Sequence, residues 1–544
     1  MLPLQVKAIQ EYHLLDENPK NLLVIAPTSS GKTFLGELAA VREARRMKRA
    51  LFLVPFRAIA EELYANFTRK YKEYGIPVVI SDRDHSEYDD DILNGTYQIA
   101  IIVYEKLANL LITKPDLFTG CNLVIADEVQ MMMDNSRGPT IELLLTKLLL
   151  SPEPVRILAL SAVLEKLNDF DQWLRADVLV DQYRPVELRE AVYTRDGRAC
   201  YREFNSKKTG AEEYGSWNTR QEGLLRLCQS MIERDEQVLI FCSARNSAVE
   251  TAHFLAEGLS GTQAATGAIR DANDLIDSTT REELQHLLRS AVAYHNSDLM
   301  LEERLLVEDW FRKKEIKALT CTSTLAMGIN VPARNVIIYE PWKWNGAQQD
   351  SISVAEYKNM SGRAGRYSAG DEYGCSYIIA KSLADADAYE ETYLLGSVEG
   401  FASSFGKQRI DSQVLEIIAG GLAKTSEEVH RLVFSTYNGQ HRWTTERSKT
   451  EIGQMISDAI TRCLEYQAIE CDDNGTLIAT PLGRLCAAGG YTLDHLARAV
   501  EYVETHKTDV VPSVIFWVLN TDAKCGNQAY HIPKLRSLEF QSDT

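Results

Sequence analysis

Apolar positions along the chain fall into short unbroken runs, separated by longer stretches in which they recur every three or four residues. In the first 185 residues the runs are 22–26, 50–55, 77–81, 99–104, 123–127 and 156–162. They are rich in Val, Ile and Leu and do not alternate with polar residues. Strands covered on both faces of a parallel sheet read this way. Stretches such as 33–47 and 56–71 have helical length and periodicity, so strand and helix alternate and predict a doubly wound α/β unit. A second series follows at 237–242, 290–295, 317–321, 335–340 and 375–380. The two series predict two α/β units in tandem, joined near Tyr183-Arg184-Pro185-Val186, where the proline breaks the pattern. The polar stretch 257–289 reads as an insertion ahead of the strand at 290–295.

Beyond residue 404 the pattern changes. Helices are expected at 414–423, 427–434 and 449–466, the second opened by a capping box at Thr425 and Glu428. Asn474-Gly475 lies between two short β-like runs, a strong hairpin signal. Three helices and a hairpin predict a winged helix, and the sequence from 491 onward reads as helical. The expected units are therefore 1–184, 185–404, 405–490 and 491–544. The last reads as the start of a helical domain.

Composition changes this picture only in part. The 544 residues carry 59 Lys and Arg against 77 Asp and Glu, a net charge of −18. The length agrees with three or four folding units. No apolar run approaches the roughly 18 residues of a membrane helix, and the first residues lack the basic-then-apolar order of a signal peptide. Neither a membrane partner nor secretion is expected. Ten cysteines without a CxxC pair and ten dispersed histidines read as free thiols in a reducing compartment, without a metal held by protein side chains alone. The acidic balance taken alone weighs against a nucleic-acid partner.

Local chemistry points the other way. Ala26-Pro27-Thr28-Ser29-Ser30-Gly31-Lys32-Thr33 follows a buried run and opens a helix, the context of a phosphate-binding loop. Loop amides and the helix start can wrap phosphate oxygens. Lys32 supplies a point charge to the β and γ phosphates, and Thr33 a hydroxyl to Mg²⁺. Ala26 stands where that signature has its first glycine. Asp127-Glu128-Val129-Gln130 ends another buried run. Asp127 is suited to hold Mg²⁺ through water, and Glu128 to orient or deprotonate an attacking water.

With these residues in this order, the chain resembles superfamily 2 helicases. It looks more narrowly like the Ski-like DExH group, which includes archaeal repair helicases and the helicase part of DNA polymerase theta. The resemblance implies two RecA-like lobes that use ATP and Mg²⁺. It implies that Gln5 reads adenine and that Pro55, Arg57, Glu105 and Lys106 line a nucleic-acid track. Leu160-Ser161-Ala162-Val163 resembles motif III, with Val163 lacking the usual threonine hydroxyl. Gln130 stands for the more common histidine of the DExH box and is counted with the catalytic set.

In the second lobe, Phe241-Cys242-Ser243-Ala244-Arg245 looks like motif IV, so Ser243 and Arg245 join the track. Tyr294-His295-Asn296, with Arg304 and Glu308, looks like the motif before V. Thr322, Ser323, Thr324 and Gly328 belong to a long match to motif V; the three hydroxyl residues face the strand and Gly328 the nucleotide. Asn359-Met-Ser-Gly-Arg363-Ala-Gly-Arg366 matches motif VI, with Asn359 in place of glutamine. Arg363 and Arg366 are the implied arginine fingers. Between motifs V and VI, Trp342, Lys343 and Trp344 precede an Asn345-Gly346 turn. The family often has a strand-separating hairpin here, on which Trp342 or Trp344 would stack with the first unpaired base.

The function implied is an ATP-driven helicase or translocase moving 3′ to 5′ on single-stranded or forked nucleic acid, with DNA favoured over RNA. The compartment implied is the cytoplasm, or the nucleus in a eukaryote. An RNA helicase, a nucleoprotein remodeller and a nucleotide-gated scaffold carry the same motifs and stand as alternatives.

Overall fold

The computed structural model describes residues 1–498, apart from 18–19, 163, 261–263, 277, 323–330, 332, 345–348, 366–369, 407–409 and 490. The helical unit expected from 491 therefore lies almost wholly outside the described residues.

The first lobe is one seven-stranded parallel sheet in the order β3-β4-β2-β5-β6-β1-β7. Its strands are β1 (Asn21–Ile25), β2 (Arg49–Val54), β3 (Val78–Ser81), β4 (Ile99–Val103), β5 (Cys121–Ala126), β6 (Arg156–Ser161) and β7 (Ala176–Val180). Six coincide with the unbroken apolar runs. The seventh, β7, is an edge strand with mostly exposed or half-exposed residues, which explains why no apolar run announces it. Two hydrophobic clusters cover the two faces of the sheet, the arrangement that unbroken runs require. The neighbours β5, β6 and β1 deliver Asp127, Ser161 and the phosphate loop to one edge, since ligands gather at the carboxyl ends of parallel strands.

The second lobe is an eight-stranded mixed sheet, β10-β9-β8-β17-β14-β11-β13-β12. Five strands are parallel and apolar: β11 (Val238–Cys242), β12 (Val292–His295), β13 (Ala318–Thr322), β14 (Asn335–Ile338) and β17 (Tyr373–Ile379). The others, β8 (Glu187–Tyr193), β9 (Arg198–Glu203) and β10 (Thr209–Glu213), extend it as an antiparallel meander beside β17. Their charged, alternating sequences left them unread as core strands. A correction concerns 257–289. It contains two helices, Thr266–Ala272 and Thr279–Leu288, whose Ala268, Leu284, Leu287 and Leu288 are buried in the lobe's core. It is an integral layer of the lobe and not an insertion. A small hairpin, β15 (Trp342–Trp344) with β16 (Gln349–Ser351), stands apart from the main sheet.

The third unit contains the helices Asp411–Ala419, Ser426–Ser435, Lys449–Glu465 and Pro481–Gly489 and the antiparallel pair β18 (Ile469–Cys471) and β19 (Leu477–Ala479). Thr425 caps its helix by accepting from the Glu428 amide at 3.2 Å. The Glu428 carboxylate reaches the amide of Lys424, one residue before the cap, at 2.7 Å. In the turn between β18 and β19, Asp472 Oδ1 accepts from the amides of Asn474 and Thr476, and Gly475 takes the positive φ.

This unit is welded to the first lobe. Phe170, Trp173, Phe401 and Tyr437 form one aromatic cluster, with Phe170 and Phe401 stacked at 4.0 Å between centroids. Trp173 Nε1 donates to the Ser435 carbonyl at 3.0 Å, and the Tyr437 hydroxyl to that of Asn168 at 2.7 Å. Glu142, wholly buried, accepts from the Asn438 amide at 2.7 Å and from Ser403 Oγ. Burial pushes its carboxyl up to about 7, although those donors favour the charged form. Residues 401–404, at the end of the segment read as second lobe, thus pack on the first. No helix among the described residues is long and apolar enough to cross a membrane.

Phe401→Ala should destabilise the joint by about 3–5 kcal/mol, the usual loss for a buried aromatic truncated to a methyl group. Thermal unfolding should show an early transition, reported by Trp173 fluorescence. A melting curve superimposable on that of the parent protein would contradict this role for the cluster.

Candidate functional site

The phosphate loop joins β1 to the helix Lys32–Arg45. Gly31, at φ +87°, turns the backbone into that helix. A Cβ there would lie 2.6 Å from Gln5 Nε2, so Gln5 lies directly against the loop. Gln5 also closes the helix Pro3–Gln10 by accepting from the Leu2 amide at 2.9 Å. Lys32 is buried, and its Nζ donates to the carbonyls of Ala26 and Pro27 at 2.7 and 3.0 Å. Burial draws its pKa below the usual lysine range, while Glu128 and then Asp127 pull it back up. Ser29 has a positive φ, and Ser30 Oγ is buried without a hydrogen-bond partner. An ammonium folded on loop carbonyls and an unpaired hydroxyl fit a polyphosphate, which would supply acceptors to both. Thr33, half-buried, is the second residue of the helix.

Asp127 is held at the end of β5 by its amide, which donates to the Leu53 carbonyl at 2.9 Å. Its own carbonyl accepts from the Tyr104 hydroxyl at 2.8 Å. Burial first, and Glu128 second, push its carboxyl up to about 7; Lys32 opposes them. Glu128 sits at φ +53°, a left-handed position that costs a non-glycine residue energy and is concentrated at functional sites. Thr33 and Asp127 together offer the hard oxygen donors that Mg²⁺ prefers.

Gln130 joins these parts. Its Oε1 accepts from Ser161 Oγ at 2.9 Å and from the Ala162 amide at 3.2 Å, and its Nε2 donates to the Glu128 carboxylate. The acid of one motif and the backbone of another therefore share one amide. Val163 lies outside the described residues. The link through Gln130 uses Ser161 and a main-chain amide and does not require a hydroxyl at 163.

The second lobe reaches this cluster through the helix Val354–Ser361. Thr28 Oγ1 donates to the Gly362 carbonyl at 3.0 Å, and a Cβ on Gly362 would fall 2.2 Å from that hydroxyl. Only glycine allows so close an approach. The same carbonyl accepts from Arg184 Nη2 at 3.0 Å, and Arg184 also bonds the Ala364 carbonyl. Arg184, in the interlobe joint, was not singled out by sequence; an arginine before a proline has no local signature of such a role. Arg363 is half-buried. Burial works against its charge, and Glu128, the largest opposing influence, favours it. Asn359 lines an interlobe cavity of about 340 Å³ with Pro27, Thr28 and Gln130. Arg366 and Gly328 lie outside the described residues.

The expected track residues have protein partners. Arg57 is ion-paired with Asp84 and approaches Asp82 and Glu61 at 3.9 Å. Glu61, Asp82 and His85 lie close enough to share a metal ion, but the cation beside them is Arg57. Lys106 Nζ meets Asp89 at 2.6 Å, and Arg245 meets Asp298 at 2.6 Å. The amide and hydroxyl of Ser243 both donate to Glu340 at 2.7 Å. Arg137, which sequence reading passed over, ties Pro55 and Glu105 together. It donates to the Pro55 carbonyl at 2.5 Å, lies 3.4 Å from the Glu105 carboxylate, and stacks on Phe56. Thr322 ends β13 and is buried, while Ser323 and Thr324 lie outside the described residues. Trp342 is half-buried between Arg220 and Lys381, 4.6 and 5.9 Å from its ring centroid. Trp344 closes β15 opposite Gln349.

The DEAD/DEAH box helicase model matches residues 2–170, and the helicase conserved C-terminal domain matches residues 221–368. With both lobes and their shared cleft, the chain belongs to the DEAD/DEAH-box helicases. Among curated proteins it is similar to the ATP-dependent DNA helicases Hel308 of three organisms. It is 32% identical to that of Caldivirga maquilingensis over 461 residues, covering 82% of this chain and 59% of the relative. It is 29% identical to that of Pyrobaculum calidifontis over 526 residues (95% and 72%). For Methanocella arvoryzae the figures are 30% over 498 residues (89% and 64%). The chain thus spans roughly three fifths to seven tenths of the relatives' length.

Gln130→Ala should leave nucleotide affinity within about twofold, because the side chain touches Glu128 and motif III and not the phosphate loop. Turnover should fall about ten- to hundredfold, the equivalent of one or two hydrogen bonds to a charged group. Comparing nucleotide titration with steady-state hydrolysis checks this. Equal losses in both would show that Gln130 holds the loop itself.

Proposed function

We propose that this protein is an ATP-dependent helicase that moves 3′ to 5′ on single-stranded DNA and separates duplex ahead of it. The observation that carries the proposal is the composite site across the cleft. Lys32, Asp127 and Glu128 come from one lobe, and Arg363 comes from the other beside a Thr28–Gly362 contact of 3.0 Å. A nucleotide in such a place has its charge neutralised from both sides only when the lobes are together. Hydrolysis would remove that bridge, and cyclic closing on a strand gripped by both lobes gives stepwise travel. Mg²⁺, held by Thr33 and through water by Asp127, would neutralise the phosphates. Glu128 is the base or orienting group for the attacking water, and Gln130 positions it. Gln5 is assigned to the adenine.

DNA is the proposed strand because the relatives are named as DNA helicases. A cytoplasmic setting, or a nuclear one in a eukaryote, and a role in DNA repair belong to the same proposal, as does a winged-helix reading of 405–490. On the track, phosphates would displace carboxylates from Arg57, Lys106 and Arg245.

Lys32→Ala and Glu128→Gln should each abolish strand-stimulated ATP hydrolysis, and unchanged turnover in either purified variant would rule out the site. Matched single-stranded DNA and RNA competing for stimulation of the parent protein test the strand. Preference for RNA would replace DNA in the proposal. Asp89→Asn should release Lys106 and tighten nucleotide-free binding to single strands about two- to fivefold at low salt, the scale of a partly exposed ion pair. The gain should vanish at high salt. A gain that persists at high salt would contradict competition between Asp89 and phosphate for Lys106.

A further inference from the structure

The hairpin β15–β16 and the half-buried Arg363 stand at opposite ends of one helix. Val354–Ser361 has eight residues, so it spans about 12 Å. Its start is closed by a capping box. Ser353 Oγ accepts from the Glu356 amide at 3.2 Å, and Glu356 Oε2 accepts from the Ser353 amide at 2.8 Å. The same Glu356 carboxylate accepts from Lys343 Nζ with both oxygens, at 2.7 and 2.9 Å. Lys343 is the middle residue of β15, paired with Asp350 of β16. One carboxylate therefore both finishes the helix and holds the hairpin.

The rest of the helix is stiffly mounted. The first two amides, of Val354 and Ala355, donate to Glu399 at 2.7 and 3.0 Å. Lys358 pairs with Glu190 of β8 at 3.0 Å, and Tyr357 stacks on Tyr393 at 4.9 Å. The far end meets the first lobe, where the Gly362 carbonyl takes Thr28 Oγ1, and continues into Arg363 beside Glu128. A displacement of that end when the lobes close has a rigid path to Glu356, and from Glu356 to the hairpin.

We propose that Glu356 is a positioning residue that, through Lys343, makes the hairpin follow the closing of the nucleotide cleft. The proposal rests on the strand-separating reading of this chain and assigns the link between hydrolysis and separation to that ion pair. Glu356 and Lys343 both line the interlobe cavity with Thr28 and Asn359, and in this role Glu356 acts through Lys343. A capping box needs an acceptor at this position and glutamine supplies one, whereas a charged grip on Lys343 needs the carboxylate. The two duties of Glu356 can therefore be divided by mutation.

The test compares the parent protein with Glu356→Gln, Lys343→Met, the double variant and Ser353→Ala, the last loosening the helix start without removing the ion pair. Strand-stimulated ATP hydrolysis and unwinding of a forked duplex are measured side by side, and base pairs opened per ATP is the readout. Glu356→Gln and Lys343→Met should each lower that ratio about three- to tenfold, with hydrolysis within about twofold of the parent. The double variant should be no worse than either single one, and Ser353→Ala should keep the parental ratio. A parental ratio in Glu356→Gln overturns the proposal, as does a Ser353→Ala variant with the same defect, which would trace it to helix fraying. A parent protein that hydrolyses ATP on single strands yet opens no duplex overturns the strand-separating reading, and the proposal with it.

Discussion

The architecture depends on keeping charges of both signs in a buried cleft to which neither lobe contributes a balanced set alone. The first lobe places Asp127 and Glu128 against Lys32. Burial raises the Asp127 carboxyl most, and the second carboxylate, Glu128, adds to that rise against the single ammonium of Lys32. The second lobe supplies the missing cation in Arg363, which pays its own burial penalty and is favoured by Glu128. Each lobe therefore completes the other's charge. A polyphosphate entering the cleft changes the sum by several units and must draw Lys32 off the carbonyls of Ala26 and Pro27. Lobe spacing becomes sensitive to the charge between the lobes, which is the physical requirement for a nucleotide-driven motor.

Such sensitivity is useful only if the change is conveyed. Gln130 conveys it inside the first lobe, since its amide meets an acid on one side and a hydroxyl and a main-chain N–H on the other. A neutral amide here does not titrate, so the link is indifferent to proton uptake by Asp127. Between the lobes the contact is tighter still. Thr28 and Gly362 meet without a side chain on the second-lobe side, so a shift at the loop is passed through one hydrogen bond to the main chain at the end of the helix. The helix that starts at Ser353 and ends at Gly362 begins at the hairpin and finishes at this contact.

Much of this was legible in the sequence because its signals are local. Unbroken apolar runs mark strands covered on both faces, and eleven of them became sheet strands in the two lobes. The phosphate loop and Asp127-Glu128 are legible because each occupies a single strand end. Strands covered on one face or at an edge were not: β7 is a short, mostly exposed edge strand, and the meander β8–β10 carries charges along its length. The helices within 257–289 were hidden for the opposite reason. Leu284, Leu287 and Leu288 stand at i, i+3 and i+4, the spacing of one helix face, but the polar residues around them masked so short a pattern. Arg184 and Arg137 owe their roles to partners far away in the chain, which no local pattern reports, whereas the Ser353-to-Glu356 capping box is a local pattern whose tie to Lys343 is not.

The charge of −18 takes on a different meaning in that light. Arg57, Lys106 and Arg245 read as track cations from their motifs, and each is matched by an aspartate of its own lobe. An acidic protein that must hold a polyanion without trapping it gains from such competition. Under the proposed function, a phosphate meeting Arg57, Lys106 or Arg245 would replace an existing ion pair, so the net gain at each would be small. For a motor that must let go of the strand once per cycle, weak exchangeable contacts are more useful than strong ones. In the proposed function, the acidic surplus that seemed to argue against nucleic acid would instead keep the track exchangeable.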